Sequence, residues 1–315
     1  MRAPWFWQRD GRIARLLDPL GRLYGAATAR RVARPGWGAP VPVICIGNAT
    51  AGGTGKTTVA LDIAARLKER GVRVAFLTRG YGGSASGRVD PARHRASVAG
   101  DEALLLAACA PTFVGADRAE AARMALEAGA QCLVMDDGLQ NPTLRKQSLL
   151  VIDGAAGVGN GRLIPAGPLR EPLLVAAARC RAAIIIGPDT HDIARRLAIP
   201  VLRARIESPE EVRDMRLFAF AGIGRPEKFF ATLRAAGADV VGTRGFADHH
   251  RYSSGEIASV LKAAWKLGAE AVTTPKDAVR LTADQRARVR VAEVRLIWEE
   301  PALLERLLTS MLRVW

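Results

Sequence analysis

The 315-residue chain is poor in several features that would narrow its class. Its four cysteines (Cys45, Cys109, Cys132, Cys180) are 64, 23 and 48 residues apart. Without a Cys-x-x-Cys pair, a zinc ribbon or a dense disulfide framework is excluded, leaving four reduced, mostly buried thiols. No run approaches the roughly 20 apolar residues that span a bilayer. The N-terminus lacks the apolar core and cleavage site of a secretory signal. Aromatic residues are only 5% of the chain, too few to favour base-stacking platforms. Repeats and low-complexity tracts are absent. Lysine is scarce too, with seven among 46 basic residues.

What is present is arginine and apolar sequence. Hydrophobic residues reach 49% and charged residues 24%, which excludes wholesale disorder. The net charge of +15 implies an anionic partner, whether nucleotide, acidic lipid or nucleic acid. The first 36 residues hold eight Arg against two Asp, with Trp5, Phe6 and Trp7 adjacent and Leu16, Leu17, Leu20, Leu23 and Tyr24 at helical spacing. Two readings of this segment stand: an amphipathic helix lying in a lipid interface, or one packed on the protein's own core.

Beyond Pro35, short apolar runs alternate with helical patterns: 41–47, 73–78, 112–115, 131–135, 149–154 and 182–187 read as strands. That alternation predicts an α/β fold, a P-loop NTPase-type, mostly parallel sheet with helices on both faces. A second start at LFAFAGIG (217–224), a capping box at SSGE (253–256), and strands at 271–277 and 295–298 predict a smaller α/β unit. The expected organisation is thus a basic, aromatic segment over 1–36, a nucleotide-binding unit over 37–205, and a second unit over 206–315.

The turn after the first strand reads GNATAGGTGKTT (47–58). Between strand and helix, such a turn directs backbone N–H groups at phosphate oxygens, and the helix dipole adds to them. Gly52, Gly53, Thr54, Gly55, Lys56 and Thr57 are the expected phosphate cradle, with Lys56 reaching the β- and γ-phosphates and Thr57 offering its hydroxyl to Mg²⁺. Thr50 replaces the first glycine of the strict pattern, and Ala51 replaces the lysine found in the partitioning ATPases that share GGxGKT. Asp136 and Asp137, directly after an apolar run, supply the carboxylate that holds or orients the metal. Their order does not decide which of them does. The spacing of Lys276 and Asp277 is wrong for a guanine signature, so ATP is the expected nucleotide.

Together these strings resemble the tetraacyldisaccharide 4′-kinases of Gram-negative bacteria. Besides the P-loop, the likeness rests on LTRGYGG (77–83), GDEALLLA (100–107), VGADR (114–118), DDGLQNPTLRK (136–146), LIPAGPLREP (163–172), GIGRPEKFF (222–230), FADHHRY (246–252) and TPKD (274–277). Two departures stand out: Thr58 and Ala247 occupy positions where the family usually has proline, the second threatening to loosen the loop that presents His249. The resemblance implies transfer of the γ-phosphate of ATP, with Mg²⁺, to the 4′-hydroxyl of a tetraacylated glucosamine disaccharide 1-phosphate, a step of lipid A synthesis. It implies peripheral attachment to the cytoplasmic face of the inner membrane, without an obligate protein partner or nucleic acid.

It also implies roles for residues. Asp101, which taken alone also reads as an acid on a helix dipole, becomes the candidate base, with His249 orienting it and Asp248 behind. Arg118, Arg170 and Glu171 are candidates for contacting the acceptor. Because 101 and 249 fall in different expected units, the second unit is expected to close over the first. Two competing classes are a P-loop kinase or ligase of a soluble metabolite and a nucleic-acid-stimulated ATPase.

Overall fold

The computed structural model describes residues 4–207 and 210–313; residues 1–3 of the N-terminal segment and 208–209 and 314–315 of the expected second unit lie outside the described residues. The strands are β1 (Val43–Gly47), β2 (Val74–Thr78), β3 (Gly87–Arg88), β4 (Thr112–Val114), β5 (Cys132–Asp136), β6 (Gln147–Asp153), β7 (Cys180–Ile186), β8 (Val201–Glu207), β9 (Arg216–Ala221), β10 (Asp239–Gly245), β11 (Glu270–Thr273), β12 (Arg290–Val291) and β13 (Arg295–Trp298). One sheet runs β13-β8-β7-β6-β1-β5-β2-β4-β3, and a second runs β10-β9-β11-β12. The central strands β1, β2 and β5 are buried along their whole length, as continuous apolar runs in a sheet covered on both faces should be. All pairings are parallel except those of the edge strands β13 and β3.

The order turns at β1. Its immediate neighbours are β5 and β6, and the chain has moved to one side of it for β2 to β4 and to the other for β7 and β8. Loops leaving the carboxyl ends of strands part there, which makes the crevice where α/β sheets bind ligands. The Lys56–Glu69 helix follows β1 and seals one face through Val59, Ala60, Ile63, Ala64 and Leu67.

One expectation about organisation differs from the structure. The second unit does not run to the end of the chain. β13 returns to pair antiparallel with β8, and the Pro301–Arg313 helix buries Leu304, Leu308 and Met311 in the core beneath the Lys56–Glu69 helix. Trp298 donates its indole N–H to Asp62 at 2.9 Å, and Glu305 pairs with Arg66 at 2.8 Å, fastening the return. The four-stranded unit is therefore an insertion between β8 and β13. It buries its own core around Leu217, Ala219, Phe229, Phe230 and Leu233 on one face and Phe220, Ile257 and Val260 on the other.

The N-terminal helix, Arg12–Val32, is attached by a narrow stripe. Ala14, Gly21 and Thr28, seven residues apart, are its buried positions. Gly21 and Gly25 let the helix approach Leu163, where a β-carbon would come within 3.0 Å of the Leu163 carbonyl and 2.5 Å of its side chain. Arg162 joins Asp10 at 2.7 Å and Asp18 at 2.6 Å, and Trp7 donates to the Pro165 carbonyl at 2.9 Å. The opposite side leaves Leu16 80%, Leu20 53% and Leu23 69% exposed, with Trp5 at 74%. The helix is therefore docked on the 160–167 loop rather than absorbed by the core.

Candidate active site

The P-loop is shaped by its glycines and by one buried amide. Gly55 precedes the helix at φ 87°, a left-handed conformation that favours glycine, and turns the chain into its first turn. Asn48 is fully buried and donates from Nδ2 to Thr54 Oγ1 at 3.2 Å and Thr50 Oγ1 at 3.4 Å, drawing the loop into an arc. Lys56, Thr57 and both aspartates meet inside that arc. Thr57 donates its hydroxyl to Asp136 at 2.8 Å, and Lys56 lies 3.8 Å from Asp137.

The two aspartates differ in charge as well as place. Asp136 is 1% exposed, and its buried Oδ1 has no hydrogen-bond partner among the described residues. Burial, with Glu102 nearby, pushes its pKa up to about 7, although Lys56 opposes the rise. Asp137 sits at φ 53° just beyond β5, and Arg170 donates to it at 2.9 Å. Burial would raise its pKa as well, but Lys56 and Arg170 outweigh it and hold the carboxylate below its usual range.

A hydroxyl and an unfinished carboxylate side by side are a hard-oxygen set suited to Mg²⁺, which retains waters and takes its other ligands from phosphate. Among the described residues no three His, Cys, Asp or Glu side chains converge as a metal site. Asp136 is the carboxylate beside the hydroxyl, which distinguishes two residues that sequence order leaves equivalent.

Asp101 lies on the other rim, at the start of the Asp101–Ala107 helix and only 7% exposed. His249 reaches it from the inserted unit, with Nδ1 2.8 Å from Oδ2. His249 stands at φ 58° with its N–H on the Gly222 carbonyl at 3.1 Å, so its loop is held despite Ala247. Asp248 Oδ1 is 3.8 Å from His249 Nε2, beyond hydrogen-bond reach. Burial would raise the pKa of Asp101, but the His249 hydrogen bond and the Arg280 charge together carry it below the usual value.

Three expected acceptor contacts prove different in kind. Arg170 faces the site through Asp137. Glu171 is 3% exposed and faces inward, clamped by Arg179 at 2.7 and 2.9 Å and by Gln140 at 2.8 Å. Arg118 is 2% exposed, its Nη1 on the Gly115 carbonyl, and burial lowers its pKa. Both buried side chains shape the loops behind the site. Sequence reasoning missed Asn48, Arg179 and above all Arg280, which donates to Asp101 at 2.7 Å. It also missed Asp153 at the end of β6, which pairs with Arg225 at 3.1 Å and with Lys228. Asn48, Arg225 and Lys228 stood in quoted motifs; Arg179, Arg280 and Asp153 did not.

These elements define a P-loop kinase carrying an inserted second α/β unit, its P-loop at the turning point of the sheet. Residues 13–313 match the family described as tetraacyldisaccharide-1-P 4′-kinase. The chain belongs to this family. It is 54% identical over 322 residues to a tetraacyldisaccharide 4′-kinase of Gluconacetobacter diazotrophicus, covering 99% of this chain and 98% of that one. A Rhodospirillum rubrum protein of the same name is 51% identical, with coverage of 99% and 98%. The crystal structure of an LpxK from Aquifex aeolicus in complex with ATP superposes with a TM-score of 0.75, at 24% identity, covering 95% of this chain and 99% of that one. That likeness supports the fold.

Proposed function

We propose that the chain transfers the γ-phosphate of ATP to the 4′-hydroxyl of a tetraacyldisaccharide 1-phosphate, the acceptor in its family's description, giving the bisphosphorylated lipid A precursor. The observation that carries the reading is the pairing of a P-loop and its Thr57–Asp136 metal set with Asp101 and His249 on the facing rim. Gly52 to Thr57 bind the triphosphate through backbone N–H groups, and Lys56 neutralises the transferred phosphoryl. Thr57 and Asp136 would hold Mg²⁺, which supplies charge neutralisation on the phosphates when bound. Asp137 keeps Lys56 and Arg170 at one place, and Arg170 is the arginine positioned to meet the phosphoryl or the acceptor.

Asp101 accepts the hydroxyl proton, with His249 fixing one of its oxygens. Because Asp101 is held below its ordinary pKa it is a weak base. A loose phosphoryl transition state tolerates that, since the hydroxyl loses its proton late and positioning dominates. Asp248 supports the loop bearing His249. Closure of the inserted unit would bring the two rims together, a reading that the Asp101–His249 contact supports.

A lipid acceptor requires access to a membrane. No described helix is long and apolar enough to cross one. The exposed Leu16, Leu20 and Leu23 face, surrounded by arginines, supports peripheral binding to anionic lipid, and the acceptor's chemistry supports the cytoplasmic face of the inner membrane as its location. A soluble-metabolite kinase would have no use for such a face. To test the reaction, purified protein, ATP, Mg²⁺ and the acceptor in mixed micelles are analysed by phosphorus NMR. A new monoester at the 4′ position is expected; ATP binding with an unchanged acceptor would refute the assignment.

A further inference from the structure

We infer that Arg280 is a positioning residue that completes Asp101 only when the inserted unit is seated on the P-loop unit. The inference rests on the kinase reading above and adds to it a residue outside the recognised motifs. Arg280 follows the Pro275–Ala278 helix, and its side chain is 3% exposed. Nε donates to Asp101 Oδ2 at 2.7 Å; Nη2 lies 2.6 Å from the same oxygen as an ion contact without hydrogen-bond geometry. Nη1 donates to the Gly222 carbonyl and to Asp277 Oδ1, both at 2.9 Å.

Each contact has a consequence. The Gly222 carbonyl that receives Arg280 also receives the His249 N–H, so one guanidinium is tied to both members of the Asp101–His249 pair. Asp277 is fully buried and also accepts from Tyr252, Thr274 and the Gly222 N–H, which makes it a rigid anchor for the arginine. Both donors to Asp101 fall on Oδ2. Among the described residues no hydrogen bond is directed at Oδ1, so Oδ1 is the oxygen left to take the acceptor's proton. Withdrawal of the inserted unit would remove Arg280 and His249 together, leaving Asp101 without its two partners while Arg280 kept Asp277.

The charges around Asp101 are His249 and Arg280 from the inserted unit, with Asp277 behind the arginine. Glu102 is beside Asp101 in sequence and paired with Lys276 at 3.0 Å, and Asp248 is beyond the histidine. Arg280 is the arginine that touches Asp101, so its removal takes a fixed positive charge directly from that carboxylate. A lysine would keep the charge but, as a single point donor, does not span Asp101, Gly222 and Asp277 together.

The test compares wild type, Arg280→Gln and Arg280→Lys for label transfer from ATP to the lipid acceptor across pH, with KM for ATP and thermal melting measured alongside. For Arg280→Gln the expected result is a fall in kcat of at least about tenfold at neutral pH. The acid limb of kcat/KM moves to higher pH by about one unit, and KM for ATP stays within about twofold because the P-loop is untouched. Arg280→Lys recovers the position of the acid limb and part of kcat. If Arg280→Gln does not fold, Arg280→Lys is read alone: a several-fold loss of kcat at unchanged KM for ATP supports the inference, and wild-type kcat overturns it. A folded Arg280→Gln with an unshifted limb, or with a loss uniform across pH, also overturns it. A wild-type enzyme that leaves the lipid unlabelled refutes the kinase reading instead.

Discussion

Asp136→Asn should make the metal-free protein more stable at neutral pH while abolishing its activity. In the folded chain burial raises this carboxyl from 3.8 to about 7, so between those values the native state holds a proton that the unfolded chain has released. Stability must then fall as pH rises through that window and level off above it. At about 1.4 kcal/mol per unit the whole window is worth roughly 4 kcal/mol, with about 2 kcal/mol of it between pH 5 and pH 7, where the slope is already fading. An amide of the same shape keeps the Thr57 contact and cannot ionise, so the variant lacks this slope.

The assay is urea unfolding of wild type and variant at about pH 5 and pH 8, without nucleotide or metal, compared as the difference between the two proteins so that other titrating groups cancel. The wild type should lose about 2–3 kcal/mol relative to Asp136→Asn on going to the higher pH. Mg²⁺ with ATP should narrow the gap by stabilising the wild type more than the variant. Parallel pH dependences would refute the claim that a buried, under-solvated carboxylate waits beside Thr57.

Three further outcomes test other parts of the structure. Gly100→Ala, at φ 87° and ψ 148° with a β-carbon 2.7 Å from the Tyr81 carbonyl, should cost about 1–3 kcal/mol in urea unfolding and displace Asp101 enough to lower kcat. Arg179→Met leaves the buried Glu171 without its two-point partner and should cost about 2–3 kcal/mol, less than for a fully buried pair because Arg179 is one-third exposed; an unchanged urea midpoint would show that Gln140 alone suffices. Replacing Leu16, Leu20 and Leu23 by Ser should leave the melting temperature within about 2 °C, since all three are exposed, yet reduce flotation with anionic vesicles at least about tenfold.

The P-loop, the strand that feeds it and the two aspartates beyond β5 were legible because their signals are local. An apolar run, a glycine turn and a helix start lie within one short stretch of chain. β8 and β10 were not, since VLRARIE and DVVGTRG carry charge into half-exposed strands and lack a continuous apolar run. RLIW reads as a strand in either sheet; only its antiparallel pairing with β8 assigns it. Long-range partners also decide the site. Arg280 is one basic residue of 46, and nothing near it in sequence announces a carboxylate 179 positions away. Glu171 and Arg118 sit in motifs that look substrate-facing, and burial alone reveals that they face inward.

The most direct measurement of the central claim is transfer of label from γ-labelled ATP to a tetraacyl disaccharide 1-phosphate in mixed micelles with Mg²⁺, with Lys56→Ala and Asp101→Ala beside the wild type. Label in the lipid, lost in both variants while each still melts cooperatively, is the predicted result. Label that persists in Asp101→Ala at the wild-type rate would contradict the assignment of the base and, with it, the reason for the inserted unit to close on the P-loop.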